Sequence, residues 1–166
     1  MALCKHELNP NTGLPDEMGH RRPLDYFRVP ESERAARIKH DDDLCVIDGK
    51  VFLVRAHLPI RVLDDPVHFG WGLWARVNEA LFRRYLAAWG VDASDEPPIP
   101  GVLSAEFTQY APLYEHAVDL FLGPAWSRPR IRLHPSGNRL YREQEEGITA
   151  ARRYELFREL MPWLFA

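Results

Sequence analysis

Apolar residues along this chain follow two rhythms, one of period two and one near three and a half. The clearest period-two signal is Leu44-Cys45-Val46-Ile47, then the turn pair Asp48-Gly49, then Val51-Phe52-Leu53-Val54, which together predict a β-hairpin. Leu58, Ile60 and Val62 around Pro59 suggest a further strand at a sheet edge. Residues 69–74 alternate so that Phe69, Trp71 and Leu73 share one face, while Gly70 and Gly72 leave the other open to close approach. Further strands are expected at 101–107, 114–122 and 130–133.

Helical rhythm appears in four places. Residues 31–38 follow Pro30 with acids early and arginines late, as a helix dipole prefers. Asn78 can cap a helix running to Trp89, with Leu81, Phe82, Tyr85, Leu86 and Trp89 as its stripe and Gly90 as its stop. A short helix is expected over 140–146, ended by Gly147. A last one carries Ala150, Tyr154, Phe157 and Met161 on one stripe and breaks near Pro162. Pro10, Pro15, Pro23 and Pro30 mark residues 1–30 as an irregular segment wrapping a surface. Strands joined by short turns with few helices between them predict an α+β fold. The expectation is a single domain over 1–166, mainly an antiparallel sheet with helices packed on one side, with an N-terminal wrap at 1–30 and a C-terminal helix at 149–166.

A chain of 166 residues buries enough surface to need no disulfide or metal staple. Two cysteines, Cys4 and Cys45, give no disulfide framework. A net charge of −3 offers no field for nucleic acid. No signal peptide or membrane-length apolar run is visible, so a soluble, cytoplasmic protein is expected. Residues 124–166 are locally basic, with eight Arg against five acids. Arg152, Arg153 and Arg158 alternate there with Glu155 and Glu159 as on a solvated helix face.

The candidate chemistries mostly fall away. Cys45 sits inside an apolar strand behind Asp41, Asp42 and Asp43, which opposes a thiolate. No catalytic residue is assigned, and the reading leans away from an enzyme. His57 and His68 lie on neighbouring predicted strands, but no metal-ligand spacing is present, and no metal or cofactor is expected. The three aspartates lack the alternation of a calcium loop and read as a turn. No nucleotide or hydrolase glycine motif occurs, since Gly70-x-Gly72 lies within a strand pattern. What remains is polar and aromatic. Arg55 shares a strand face with Leu53 and His57, and Arg128, Arg130 and Arg132 share another. Planar guanidinium groups beside an indole suit a carboxylate, a phosphate or a partner side chain. Arg55, Trp74, Arg130 and Gln144 are the candidate binding groups.

Several short segments, in order, resemble the bacterial family known as domain of unknown function 2199 (DUF2199). They are Gly13-Leu14-Pro15, Pro23-Leu24-Asp25-Tyr26-Phe27, Pro30-Glu31-Ser32-Glu33-Arg34, Asp43-Leu44-Cys45-Val46-Ile47-Asp48 and Phe52-Leu53-Val54-Arg55. Phe69-Gly70-Trp71-Gly72-Leu73-Trp74, Arg128-Pro129-Arg130-Ile131-Arg132-Leu133 and Glu143-Gln144-Glu145-Glu146-Gly147-Ile148 extend the match over nearly the whole chain. The resemblance implies an N-terminal Cys-x-x-Cys-Gly-x-x-His element that looks like half a zinc site. Here it is degenerate: Cys4 is kept, while Glu7, Leu8 and Asn11 replace the second Cys, the Gly and the His. It also implies a His-Pro-Leu-Ala segment where this chain has Asn138-Arg139-Leu140-Tyr141. The family name supplies no activity.

Three functions are therefore expected in order. The first is a protein-binding module, such as an immunity protein neutralising a toxin. The second is an enzyme or small-ligand binder acting on an anionic metabolite through an Arg/Trp surface. The third is a structural homodimer formed through the apolar terminus Met161-Pro162-Trp163-Leu164-Phe165.

Overall fold

Asp48 and Gly49 both adopt positive φ, 53° and 64°, and the Lys50 N–H donates to the Ile47 carbonyl, closing the hairpin that the turn pair predicts. This hairpin joins β3 (Leu44–Ile47) to β4 (Val51–Pro59). A computed structural model describes residues 7–165; Cys4 lies outside them. Ahead of the hairpin come β1 (Glu17–Gly19), α1 (Leu24–Arg28), α2 (Glu31–Arg37) and β2 (Ile38–His40). After it follow β5 (Gly70–Val77), α3 (Glu79–Ala88), β6 (Ile99–Leu103), β7 (Ala117–Phe121) and β8 (Arg130–Leu133). The chain then enters α4 (Arg139–Glu146), α5 (Ala150–Leu160) and a 3₁₀ turn over Pro162–Leu164.

All eight strands form one sheet in the order β1-β5-β6-β7-β8-β4-β3-β2, and β5 pairs with β4 as well. The extra pairing rolls β4 to β8 into a small barrel from which β3, β2 and β1 project as flaps. Most neighbours are antiparallel, as the alternating segments predict; β1 with β5 and β4 with β8 are the parallel pairs. Register then sorts the side chains. Val54, Ala56, Leu58, Trp71, Leu73 and Ile131 point inward and are all 2 % exposed or less, forming the main core. A second, smaller core of Val29, Ile38, Cys45, Ile47, Leu53 and Trp74 lies on the opposite face. Trp71 and Trp74 thus anchor different cores. α3, α4 and α5 feed the main core through Phe82, Leu140 and Phe157. Tyr26 of α1 covers the second.

Three expectations change in detail. The N-terminal segment is not wholly irregular, because residues 17–19 pair in parallel with residues 70–72. Ile60 and Val62 start no strand of their own: β4 ends at Pro59, and the Ile60 N–H donates to Phe69 across the mouth of a long loop. On α5 the buried stripe is Arg153, Leu156 and Phe157, while Tyr154 is exposed. Arg153, read as a solvated charge, is 2 % exposed. Its Nη2 donates to the Pro15 carbonyl at 3.3 Å, and its guanidinium packs over the Phe157 ring. Among the described residues no helix is long and apolar enough to cross a membrane.

Candidate functional site

The parallel pairing of β1 with β5 carries Glu17 alongside Gly70, and the β4–β5 ladder sets His57 opposite Gly72. All three strands turn these residues to the same outer face. Since neither glycine has a side chain, the face stays open and the long side chains of β1 and β4 close over it. His57 Nδ1–H donates to Glu17 Oε2 at 2.6 Å, and Arg55 Nη2 stands 3.9 Å from Glu17 Oε1. A Cβ on Gly70 would lie 2.3 Å from His57 Cε1; one on Gly72 would lie 2.5 Å from Glu17 Oε1. The two glycines are therefore the space that an Arg55–Glu17–His57 chain occupies. With Nδ1 committed to the carboxylate, Nε2 is the imidazole's remaining acceptor.

Glu17 and His57 of this chain line a cleft of about 840 Å³. Asp16, Glu17, His57, Pro59, the loop from Ile60 to Phe69, Gln144 and Glu145 line it. The loop is fixed to the end of α4: Ile148 N–H donates to the Arg61 carbonyl and Leu63 N–H to the Ile148 carbonyl. Gly147 permits that crossing. It sits at φ 86°, and a Cβ there would meet the Arg61 carbonyl oxygen at 2.8 Å. A second groove of about 330 Å³, lined by Phe121, Arg130, Ile131 and Arg132, adjoins the cleft through Pro59, Gln144 and Glu145.

Charge is graded along this surface. Asp16, Glu17 and Asp65 make one end acidic, while Arg130 and Arg132 make the groove basic. Arg132 stands 3.6 Å from Glu145, whereas Arg130 is exposed and has no ion-pair partner among the described residues. Behind the acidic end, burial pushes the Arg153 guanidinium below its ordinary value, and Asp16 and Asp65 pull it back up.

The four sequence-derived residues part company here. Arg55 and Trp74 are direct cross-strand neighbours. Arg55 is 5 % exposed and serves Glu17, and its Nη1 donates to the Asp42 carbonyl at 3.4 Å. Trp74 is 1 % exposed in the second core, its Nε1–H donating to the His20 carbonyl. Gln144 lines the cleft, yet its amide is engaged with β8: Nε2 donates to the Ile131 carbonyl at 2.7 Å and Oε1 accepts from the Leu133 N–H at 2.9 Å. Arg130 lines the groove beside it. Arg55 and Trp74 thus lie beneath the surface, and only Arg130 and Gln144 border a groove. Sequence reasoning missed Glu17, hidden in the proline-rich segment. The open face at Gly70 and Gly72 was the available signal for it.

Cys45 lies in the second core, and burial pushes its thiol up to about 12. No group of three or more His, Cys, Asp or Glu side chains able to hold a metal occurs among the described residues. At the far end of the chain Met161 is buried, whereas Trp163 and Phe165 are exposed.

Residues 3–148 match a family described as an uncharacterized protein conserved in bacteria. The chain belongs to DUF2199. Two segments that carry the DUF2199 resemblance reach the cleft, one through Phe69 and the other through Gln144 and Glu145. No curated protein and no solved structure matches this DUF2199 chain.

Proposed function

We propose that the cleft binds a small molecule bearing a carboxylate or phosphate, and that the Glu17–His57 pair exchanges a proton with it. The observation that carries this reading is the 2.6 Å His57–Glu17 contact at the wall of an open cleft. A carboxylate on Nδ1 fixes the ring's tautomer and orientation and leaves Nε2 as the atom that takes a proton. No serine, threonine or cysteine lines the cleft among the described residues, so the proton acceptor works on the ligand or on water. A volume of about 840 Å³ lies within the span of small-molecule sites. Arg130 in the adjoining groove, without a carboxylate partner among the described residues, supplies the charge for the anionic group, and Asp16 and Asp65 accept from hydroxyl or amino groups. Nothing in this reading requires a metal: the N-terminal Cys/His element is degenerate at Glu7, Leu8 and Asn11.

Thermal-shift screening with phosphates, nucleotides and small carboxylates, followed by calorimetry, tests the reading. A ligand should raise the melting temperature, and Arg130→Ala and His57→Ala should each weaken it while leaving the unliganded melting temperature nearly unchanged. Absence of any stabilising compound, or undiminished affinity in both variants, would rule the reading out.

A second reading is a cytoplasmic protein-binding module, of the kind that neutralises a toxin. It is favoured by a separate observation, the exposed Trp126 beside Trp89.

A further inference from the structure

Trp126 holds a left-handed backbone conformation, φ 63°. For a bulky residue this is strained, and such strain persists only where the surroundings enforce it. Here the enforcement is plain: Trp126 N–H donates to the Trp89 carbonyl at 2.9 Å, and Ser127 N–H and Oγ–H both donate to the Pro124 carbonyl. The side chain gains little core from the arrangement. Trp126 is 71 % exposed, touching Trp89 edge-on at 6.3 Å and resting against Gly90. Folding energy alone would favour glycine at this position. What the strained turn achieves is to hold a large indole out in water.

Trp89, which Trp126 touches, also lines a cavity of about 220 Å³ together with Asp41, Asp43, Leu44, Tyr85 and Leu86. It combines aromatic walls with carboxylates. Tyr85 is 3 % exposed, and its hydroxyl has no hydrogen-bond partner among the described residues. Asp43 accepts from Arg128 Nε at 2.5 Å, and Asp42 stands 3.8 Å from Arg22. Asp41 uses one oxygen on the Asp43 and Leu44 N–H groups and has no cationic partner among the described residues. Of the two carboxylates that line the cavity, Asp43 meets Arg128, whereas the Asp41 side chain meets no guanidinium among the described residues and is left as the cavity's uncompensated charge.

We propose that this surface docks a protein segment presenting an arginine or lysine next to an apolar side chain. The cation enters the cavity beside Asp41 and Trp89, where carboxylate and aromatic wall both favour it. The apolar neighbour lies on Trp126 and the exposed Leu86. This does not rest on the cleft, which is built from different residues.

The test uses the intact protein with its tryptophan indoles ¹⁵N-labelled. It is titrated with a short capped peptide containing Arg-Phe, with its citrulline counterpart and with its glutamate counterpart. The Arg peptide should shift the Trp89 and Trp126 indole signals saturably. Affinity should drop about fivefold for citrulline and for Asp41→Asn, the scale of one partly exposed charge contact. Trp126→Gly should lose binding while its unfolding midpoint stays level or rises, because glycine relieves the strain. Equal response to the Arg and citrulline peptides, no saturable shift with any, or unchanged binding in Trp126→Gly would each overturn the proposal.

Discussion

His57 Nδ1 meets Glu17 Oε2 at 2.6 Å only because Gly70, beneath the imidazole, carries no side chain. In Gly70→Ala the new methyl would sit 2.3 Å from His57 Cε1 and 2.7 Å from the Leu58 carbonyl oxygen. The second of these is backbone, so the β4–β5 ladder itself must shift. Urea unfolding should show a loss of about 1–3 kcal/mol, the usual range for overpacking. Gly72→Ala meets chiefly the end of the Glu17 side chain, which can swing away. It should lose less stability but displace the His57 ring signals in NMR spectra.

Trp74 is expected to matter for stability and not for ligand affinity. Trp74→Ala empties the centre of the second core and leaves the His20 carbonyl without its indole donor, for a loss of about 3–5 kcal/mol. Trp74→Phe should fall well below that. Denaturation curves of both, with ligand titrations of the milder variant, check the separation.

Glu143 is a buried carboxylate that accepts from the Tyr110 hydroxyl at 2.6 Å and from Arg152 Nε at 2.9 Å, with Arg139 Nε a further ion-pair partner at 2.9 Å. Burial and this bond raise the Tyr110 phenol far above its ordinary value. Removing the carboxylate strands a largely buried Arg152. Glu143→Ala should therefore cost about 3 kcal/mol, the lower end for breaking such a pair because Glu155 remains within 3.4 Å of Arg152. Glu143→Gln should lose less. A double-mutant cycle with Tyr110→Phe measures their coupling.

Cys45 should resist alkylation. Its folded thiol titrates at about 12 against 9.0 for an ordinary one, so at pH 8 the native protein holds no reactive thiolate there. In a Cys4→Ser background, iodoacetamide should label Cys45 only after denaturant is added. The sign of the pH effect follows. Between pH 9.0 and about 12 the unfolded chain releases a proton that the folded one retains, so this thiol lowers stability as pH rises through that window. Below it the thiol is neutral in both states. Cys45→Ala should flatten the alkaline limb of a stability–pH profile.

Local signals carried much of the fold. Asp48-Gly49 specified a turn, the Asn78 side chain caps α3 through the Leu81 N–H, and Gly147 ends α4. Each depends on residues a few positions apart. β1 does not: its three residues become a strand only by pairing with β5, some fifty positions away, and no periodicity over three residues can announce that. Glu17, the centre of the cleft's polar chain, was hidden with it. Alternation along β4 and β5 is enough to put Arg55 and Trp74 on one face. Whether that face meets water depends on Tyr26 and Val29 arriving from another part of the chain. Arg153 shows the same limit, since nothing in its spacing reveals the Pro15 carbonyl and the Phe157 ring that accept it.

The barrel's last seam is held differently from the rest. β4 and β8 share a single paired register, His57 with Arg130, and beyond it the Gln144 amide takes the place of a strand, bonding both Ile131 and Leu133. A helix side chain therefore acts as a clasp on the edge of β8 where its backbone pairing with β4 stops. Clasps of this sort unfasten before ladders do, so the cylinder should breathe here first, with α4 swinging out as β8 loosens. Because Gln144 also borders both grooves, whatever settles in either one would press the clasp shut, and occupancy would register as slower amide exchange along β8.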